Sequence, residues 1–160
     1  MLLALRPATA DDAATIHALI VALAEYEREA DAVVNSPAIL RAQLAALHPP
    51  FECLLGEEDG AAVGFALFFP TYSTWLGRPG IWLEDLFVRE AHRRRGIGRA
   101  LLTRVAQLAV ERGCGRLEWS VLDWNTPARD FYRRLGAGAL DGWTIHRLTG
   151  DALHALASPG

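Results

Sequence analysis

Residues 83–102 read LEDLFVREAHRRRGIGRALL. An apolar run, Leu83 to Val88, is expected to be a strand; it delivers a loop rich in arginine and glycine, and the loop opens a helix. A helix start presents backbone N–H groups without intrahelical partners and the positive end of the helix dipole. Glycines let the backbone approach a ligand closely, and successive N–H groups in such a loop make an anion nest. Arg93, Arg94, Arg95 and Arg99 add full charge around Gly96, Ile97 and Gly98. The stretch is therefore a candidate phosphate or pyrophosphate site. It is not the dinucleotide fingerprint, because the position of the third glycine holds Leu101. Nor is it a nucleotide P-loop, which needs a lysine. The pattern that fits is Arg-x-x-Gly-x-Gly, with Arg93, Gly96 and Gly98.

Working outward, the apolar positions Ile97, Leu101, Val105 and Leu108 give that helix one apolar face, and Gly113 is a helix terminator. Upstream, Leu2 to Leu5 reads as a short strand, and Asp11 or Asp12 caps a helix carrying Ile16, Leu19, Ile20 and Leu23. A second helix opens at Ser36–Pro37, with a stripe at Leu40, Leu44 and Leu47. Strands are expected over 51–55, 61–69 and 81–88, with Glu57–Gly60 as a hairpin turn. Downstream, 117–122 reads as a strand, Asn125 caps a helix ending at Gly136, 143–148 reads as a last strand, and a short helix follows Gly150. The order β-α-α-β-β-β-α-β-α-β implies an α/β fold: a mixed sheet with helices on both faces. The 160 residues and 17.5 kDa suit one domain spanning 1–160.

Composition narrows the chemistry. All 16 basic residues are arginine. With no lysine, Schiff-base chemistry is excluded. The net charge of −3 disfavours nucleic acid as a partner. Cys53 and Cys114 form no Cys-x-x-Cys pair, the histidines form no His-x-x-x-His pair, and no Gly-x-Ser-x-Gly elbow occurs. The expectation is two buried free thiols, no metal site and no covalent nucleophile. The five apolar residues before Arg6 are too few for a signal-peptide core. The uncharged run Gly60–Gly77 contains Pro70, Thr71, Ser73 and Thr74, so it reads as strand plus loop and not a membrane span. A cytoplasmic protein without membrane partners is expected.

Strand, Arg-x-x-Gly-x-Gly and helix together resemble the pyrophosphate-binding signature of the GNAT-type N-acetyltransferase superfamily. The nearer resemblance is to its diamine (spermidine/spermine) and thialysine N-acetyltransferase branch. It rests on RPATADD (6–12), Glu25–Tyr26–Glu27, TYSTWLG (71–77), WLEDLFV (82–88) and WNTPARDFYRRLGA (124–137), and covers nearly the whole chain. The resemblance implies the acyl-CoA N-acyltransferase fold, acetyl-CoA as co-substrate, direct transfer to a primary amine, and a homodimer. It makes Tyr132 the acid that protonates the departing thiolate; a capped aromatic in the core is the plainer role. It makes Glu84 the base or water-positioner, and a contact to the amine. Adjacent strand residues face opposite ways, so Glu84 and Asp85 share a task only if a bulge re-aims them. A structural or supporting role suits Asp85 equally.

The same resemblance implies that backbone groups of Leu86, Phe87 and Val88 meet the acetyl group and pantetheine arm. Asn125, Thr126, Pro127 and Ala128 touch CoA on this reading, with Asn125 as a plain helix cap the equal alternative. Arg129, Arg133 and Arg134 read as a solvated face, with CoA's ribose phosphate as the alternative contact, and His92 as an exposed loop residue, with a phosphate contact as the alternative. On the acceptor side it implies Tyr26, Glu27, Tyr72, Trp75, Glu118, Trp119, Ser120 and Asp141. Two departures bear on the amine. The branch's acidic residue before the tryptophan is Ser73 here, and the connection before Gly142–Trp143 is shorter, leaving Asp141 as the nearby acid. Fewer acids favour a smaller or less charged amine over a long polycation. A non-catalytic CoA-binding module, and a peptide or antibiotic amine as acceptor, are the alternatives.

Overall fold

The structure, a computed structural model, describes residues 2–160. Its contacts divide the chain into two compact units, 1–120 and 121–160.

The first unit is a five-stranded sheet in the order β1 (Leu3–Pro7), β2 (Glu52–Glu58), β3 (Ala61–Ser73), β4 (Arg78–Val88) and β5 (Leu117–Glu118). The pairs are antiparallel except the last, which is parallel. One face is covered by α1 (Ala13–Tyr26) and α2 (Pro37–Leu44), the other by α3 (Ile97–Glu111). Strand alternation explains the division. Cys53, Leu55, Phe65, Leu67 and Phe87 pack with Ala13, Ile16 and Leu19 of α1 and with Leu40 of α2. Gly56 faces the other way, where a Cβ would stand 3.1 Å from Ile97 and 3.5 Å from Leu101.

Local chemistry sets most boundaries. Ser36 caps α2, accepting the Ile39 amide at 3.2 Å. Thr9 and Asp12 form a capping box ahead of α1, and Asp12 also takes both terminal nitrogens of Arg6 at 2.8–2.9 Å. Gly113 has φ +70 just past α3.

Several boundaries differ from the sequence reading. The turn after β2 is only Asp59–Gly60, both at positive φ. Glu57 and Glu58 belong to the strand and face opposite sides: Glu57 accepts Arg6 at 2.9 Å, while Glu58 is buried under the loop preceding α3. α2 ends at Leu44, and Leu47 is exposed. Cys53 is buried as expected; Cys114 is only partly so.

The second unit holds α4 (Thr126–Arg134) and α5 (Gly150–Ala157). The strand expected over 143–148 is absent, and β5 stops at Glu118 instead of residue 122. Alternating Trp143 and Ile145 supply strand propensity, but a strand also needs a hydrogen-bonding neighbour. None pairs with 143–148 among the described residues, and both side chains are 73% exposed. No helix among the described residues is long and apolar enough to cross a membrane.

Candidate active site

The candidate site in the first unit is organised around the end of β4. Gly96 caps α3 at φ +81, a left-handed conformation that suits glycine, and provides no side-chain cap. The ladder of α3 begins with the Ala100 amide on Gly96 O at 2.9 Å. The amides of Ile97, Gly98 and Arg99 therefore precede that ladder, the arrangement an anion uses. Ile97 itself is buried as the anchor of the helix against the sheet. Arg94, Arg95 and Arg99 are exposed around this turn. The residues present fit a pyrophosphate.

Arg93 behaves differently from its neighbours. Its Nε donates to Val88 O at 2.9 Å, and its guanidinium lies 4.5 Å from the Tyr26 ring centroid and 5.5 Å from that of Phe87. It ties the loop to the last turn of α1 by cation–π contact. His92, expected as an exposed loop residue, is half-buried and bonded through Nδ1 to Glu58. Arg95 reaches the same Glu58 oxygen at 3.1 Å.

β4 carries a bulge at Glu84, so simple alternation does not separate Glu84 from Asp85. Leu67 pairs with Asp85 and the next residue, Phe68, pairs with Leu83, so Glu84 is the extra residue. The pairing places Leu83 on the face of Phe68 but Asp85 on the face of Leu67, with Phe87 and α1. Glu84 is exposed and accepts Trp82 Nε1 at 2.9 Å, which fixes its carboxylate.

Asp85 is half-buried. Its carboxyl is pushed up from 3.8 to about 7, first by burial and then by Glu84 and Glu27. Burial, then Glu29, also raises Glu27 at the end of α1. The negative end of the α1 dipole lies at the same place. Cys53, behind them, is pushed up to about 12, mainly by burial, so it stays a thiol and no nucleophile.

On the side facing β5, β4 is paired only at Ile81 and Trp82. The stretch from Leu83 through Leu86, Phe87 and Val88 therefore has no strand on that edge among the described residues. Open backbone of this kind can hydrogen-bond an extended ligand.

The remaining predicted residues are less concentrated. Trp75 lies at the β3–β4 hairpin tip, 86% exposed, and Tyr72 is exposed nearby. Ser73 is buried and uses its hydroxyl to accept the Leu76 amide at 3.1 Å, a turn-forming role. The Glu118 carboxylate is paired with Arg116 Nε at 2.9 Å. Trp119 is half-buried and Ser120 exposed.

In the second unit, Asn125 caps α4 through the Ala128 amide at 3.4 Å. Thr126 and Pro127 are exposed in the first turn. Tyr132 is half-buried against Phe131, with ring centroids 5.4 Å apart. Asp141 is exposed.

Over residues 16–137 the sequence matches the acetyltransferase (GNAT) family. The chain belongs to the GNAT family. It is an N-acetyltransferase by that membership and by its relatives. It is 40% identical to the thialysine N-epsilon-acetyltransferase of Bos taurus over 164 residues, covering 96% of each chain. It is 50% identical to the L-ornithine N5-acetyltransferase of Arabidopsis thaliana over 98 residues, which is 61% of this chain and 43% of that longer protein. The GNAT fold is also that of an integron cassette protein from V. cholerae, with a TM-score of 0.82, 23% identity and 99% of both chains covered. Members of the family take their acetyl group from acetyl-CoA.

Two features of this candidate site were not legible in the sequence. One is the support of Glu84 by Trp82: residues two apart on a strand share a face, but only the folded strand shows that these two side chains bond. The other is Glu58, hidden in what reads as a turn.

Proposed function

We propose that this enzyme transfers acetyl directly from acetyl-CoA to a primary amine of a small acceptor resembling thialysine, ornithine or a short diamine. The observation that carries the reading is the polarity across the end of β4. Acidic Glu27, Glu84 and Asp85 gather beside the C-terminus of α1, and the arginine-rich start of α3 follows the same strand. A cationic amine suits the first region and phosphates suit the second.

An ammonium must lose a proton before its nitrogen attacks the thioester carbonyl. Glu84, held by Trp82, accepts that proton directly or through water. Asp85, titrating near 7, takes the proton on toward solvent. The Leu86 and Val88 amides, which alternate with the β3-paired Phe87 and face the open edge, receive the acetyl oxygen and the pantetheine arm. The amides of Ile97, Gly98 and Arg99, with Arg94 and Arg95, hold the pyrophosphate. Attack forms the C–N bond and breaks the C–S bond, and Tyr132 gives its phenolic proton to the leaving thiolate. That transfer is uphill by roughly 1.5 pK units, or about 2 kcal/mol, which is small against a catalytic barrier.

On the acceptor side Tyr26, Glu27 and Trp75 bind the amine. The Arg116 partner of Glu118, and Ser73 in its turn, leave less negative charge than a long polyamine requires. The active form is a homodimer in the cytoplasm.

The test is thiol release from acetyl-CoA with thialysine, ornithine, lysine, putrescine, spermidine, an aminoglycoside and a short peptide as acceptors. Thialysine or ornithine should be used with the highest kcat/KM. A clear preference for spermidine, the aminoglycoside or the peptide would overturn the assignment of the acceptor. No release with any amine would overturn the whole reading.

A further inference from the structure

We infer that Glu58 is a positioning residue for the acyl donor: it sets the shape of the anion-binding loop without touching the ligand. The inference rests on the proposed seat of the acetyl-CoA pyrophosphate at residues 94–99. Glu58 is the last residue of β2 and only 7% exposed, on the α3 side of the sheet. A buried carboxylate is costly unless it is paired and hydrogen-bonded. Glu58 is paired with two loop residues, His92 through Nδ1 and Arg95 through a terminal nitrogen at 3.1 Å, both on its Oε2.

These partners bracket Arg93 and Arg94. Arg94 has φ +62, the left-handed region that non-glycine residues seldom occupy. A strained residue persists where its surroundings over-determine it. Here three tethers do so: His92 and Arg95 on Glu58, and Arg93 on Val88 O. Glu58 also offsets the mutual repulsion of Arg93, Arg94, Arg95 and Arg99, which are crowded into seven residues. Without its charge the arginines move apart and the loop relaxes, so the amides of Ile97 to Arg99 no longer face a preformed anion seat. The two bonds that Glu58 itself makes, to His92 and Arg95, reach neither the β4 edge nor the acidic amine region, and the Arg93 tether to Val88 O does not involve Glu58, so pantetheine and amine binding stay intact.

The experiment compares two acyl donors, acetyl-CoA and S-acetylpantetheine, which lacks the pyrophosphate. The wild type should favour acetyl-CoA strongly in KM. Glu58→Gln keeps the size and the acceptor oxygen but removes the charge. It should raise KM for acetyl-CoA about tenfold, with kcat, the amine KM and the KM for S-acetylpantetheine within twofold. His92→Gln removes one tether and should raise KM for acetyl-CoA about threefold with the same selectivity; it serves as the test should Glu58→Gln fail to fold.

Equal increases for both donors, or a fall in kcat with each, would reduce Glu58 to a general structural role and overturn the inference. So would an unchanged preference between donors. A wild type that uses the two donors equally would instead overturn the placement of the pyrophosphate.

Discussion

Replacing Asp85 by asparagine should stabilise the protein, and the gain should grow with pH. Wild-type Asp85 binds its proton with a value near 7 when folded and 3.8 as an ordinary aspartate. The folded state therefore holds a proton that the unfolded chain has lost, and stability falls as pH rises from about 4 through 7. At about 1.4 kcal/mol per pH unit, ionising this group costs the fold up to roughly 4 kcal/mol by pH 8. About 2 to 3 kcal/mol of that accrues between pH 5 and pH 8.

Asparagine has nearly the same shape and never ionises, so the variant escapes this cost and also relieves Glu84 and Glu27. Urea unfolding of both proteins at pH 5, 6, 7 and 8 measures the difference, in which other titrating groups largely cancel. The variant's advantage should widen by about 2 to 3 kcal/mol across the range, a Tm gap growing by roughly 5 to 10 °C for a chain of this size. Parallel stability curves, within about 0.5 kcal/mol at every pH, would refute the reasoning: Asp85 would then titrate as an exposed aspartate.

Three further outcomes follow from single positions. Tyr132→Phe should lower kcat by about a hundredfold or more while leaving the far-UV spectrum and acetyl-CoA affinity unchanged, the range expected for loss of a general acid; steady-state kinetics and calorimetry check both halves. Gly64→Ala places a Cβ 2.7 Å from Phe87 O, where backbone must give way, so thermal unfolding should show a loss of about 1 to 3 kcal/mol. Asp12 is held down at about 2, first by its Arg6 hydrogen bonds. Its contribution is present above pH 3.8 and is lost as pH falls through 2, so Asp12→Asn should cost about 2 kcal/mol at pH 7 and progressively less in acid, as denaturant midpoints will show.

Particular residues show where sequence reasoning reached and where it stopped. Gly96 and Gly98 after an apolar strand already mark a candidate anion seat, because backbone amides at a helix start do not depend on distant neighbours. Ser36–Pro37, Asn125 and Gly113 mark helix ends for the same local reason, and the structure places each as read. The apolar stripe of 97–108 and the strands 51–55, 61–69 and 81–88 carry enough pattern to announce an α/β sheet with two helical layers. The full motif, from LEDLFV to FYRRLGA, made the acetyltransferase family recognisable without coordinates.

Tertiary structure decided what depends on pairing across the chain. Whether Glu84 and Asp85 point apart or act together turns on one unpaired residue opposite the Leu67–Phe68 step, and nothing in the order of β4 residues announces a bulge. Glu57 and Glu58 look like half of a turn. Only the register with β1 and β3 makes them strand residues, one tied to Arg6 and one sealed beneath the arginine loop. Trp143 to Leu148 has the composition of a strand and no strand beside it. Composition and spacing thus determined the chemistry this protein is equipped for, because caps, glycine turns and amphipathic faces act over a few residues. The fold determined which carboxylate is buried, which is exposed and which holds a loop in place. Burial, register and the fields of neighbouring charges arise between segments that lie far apart in sequence.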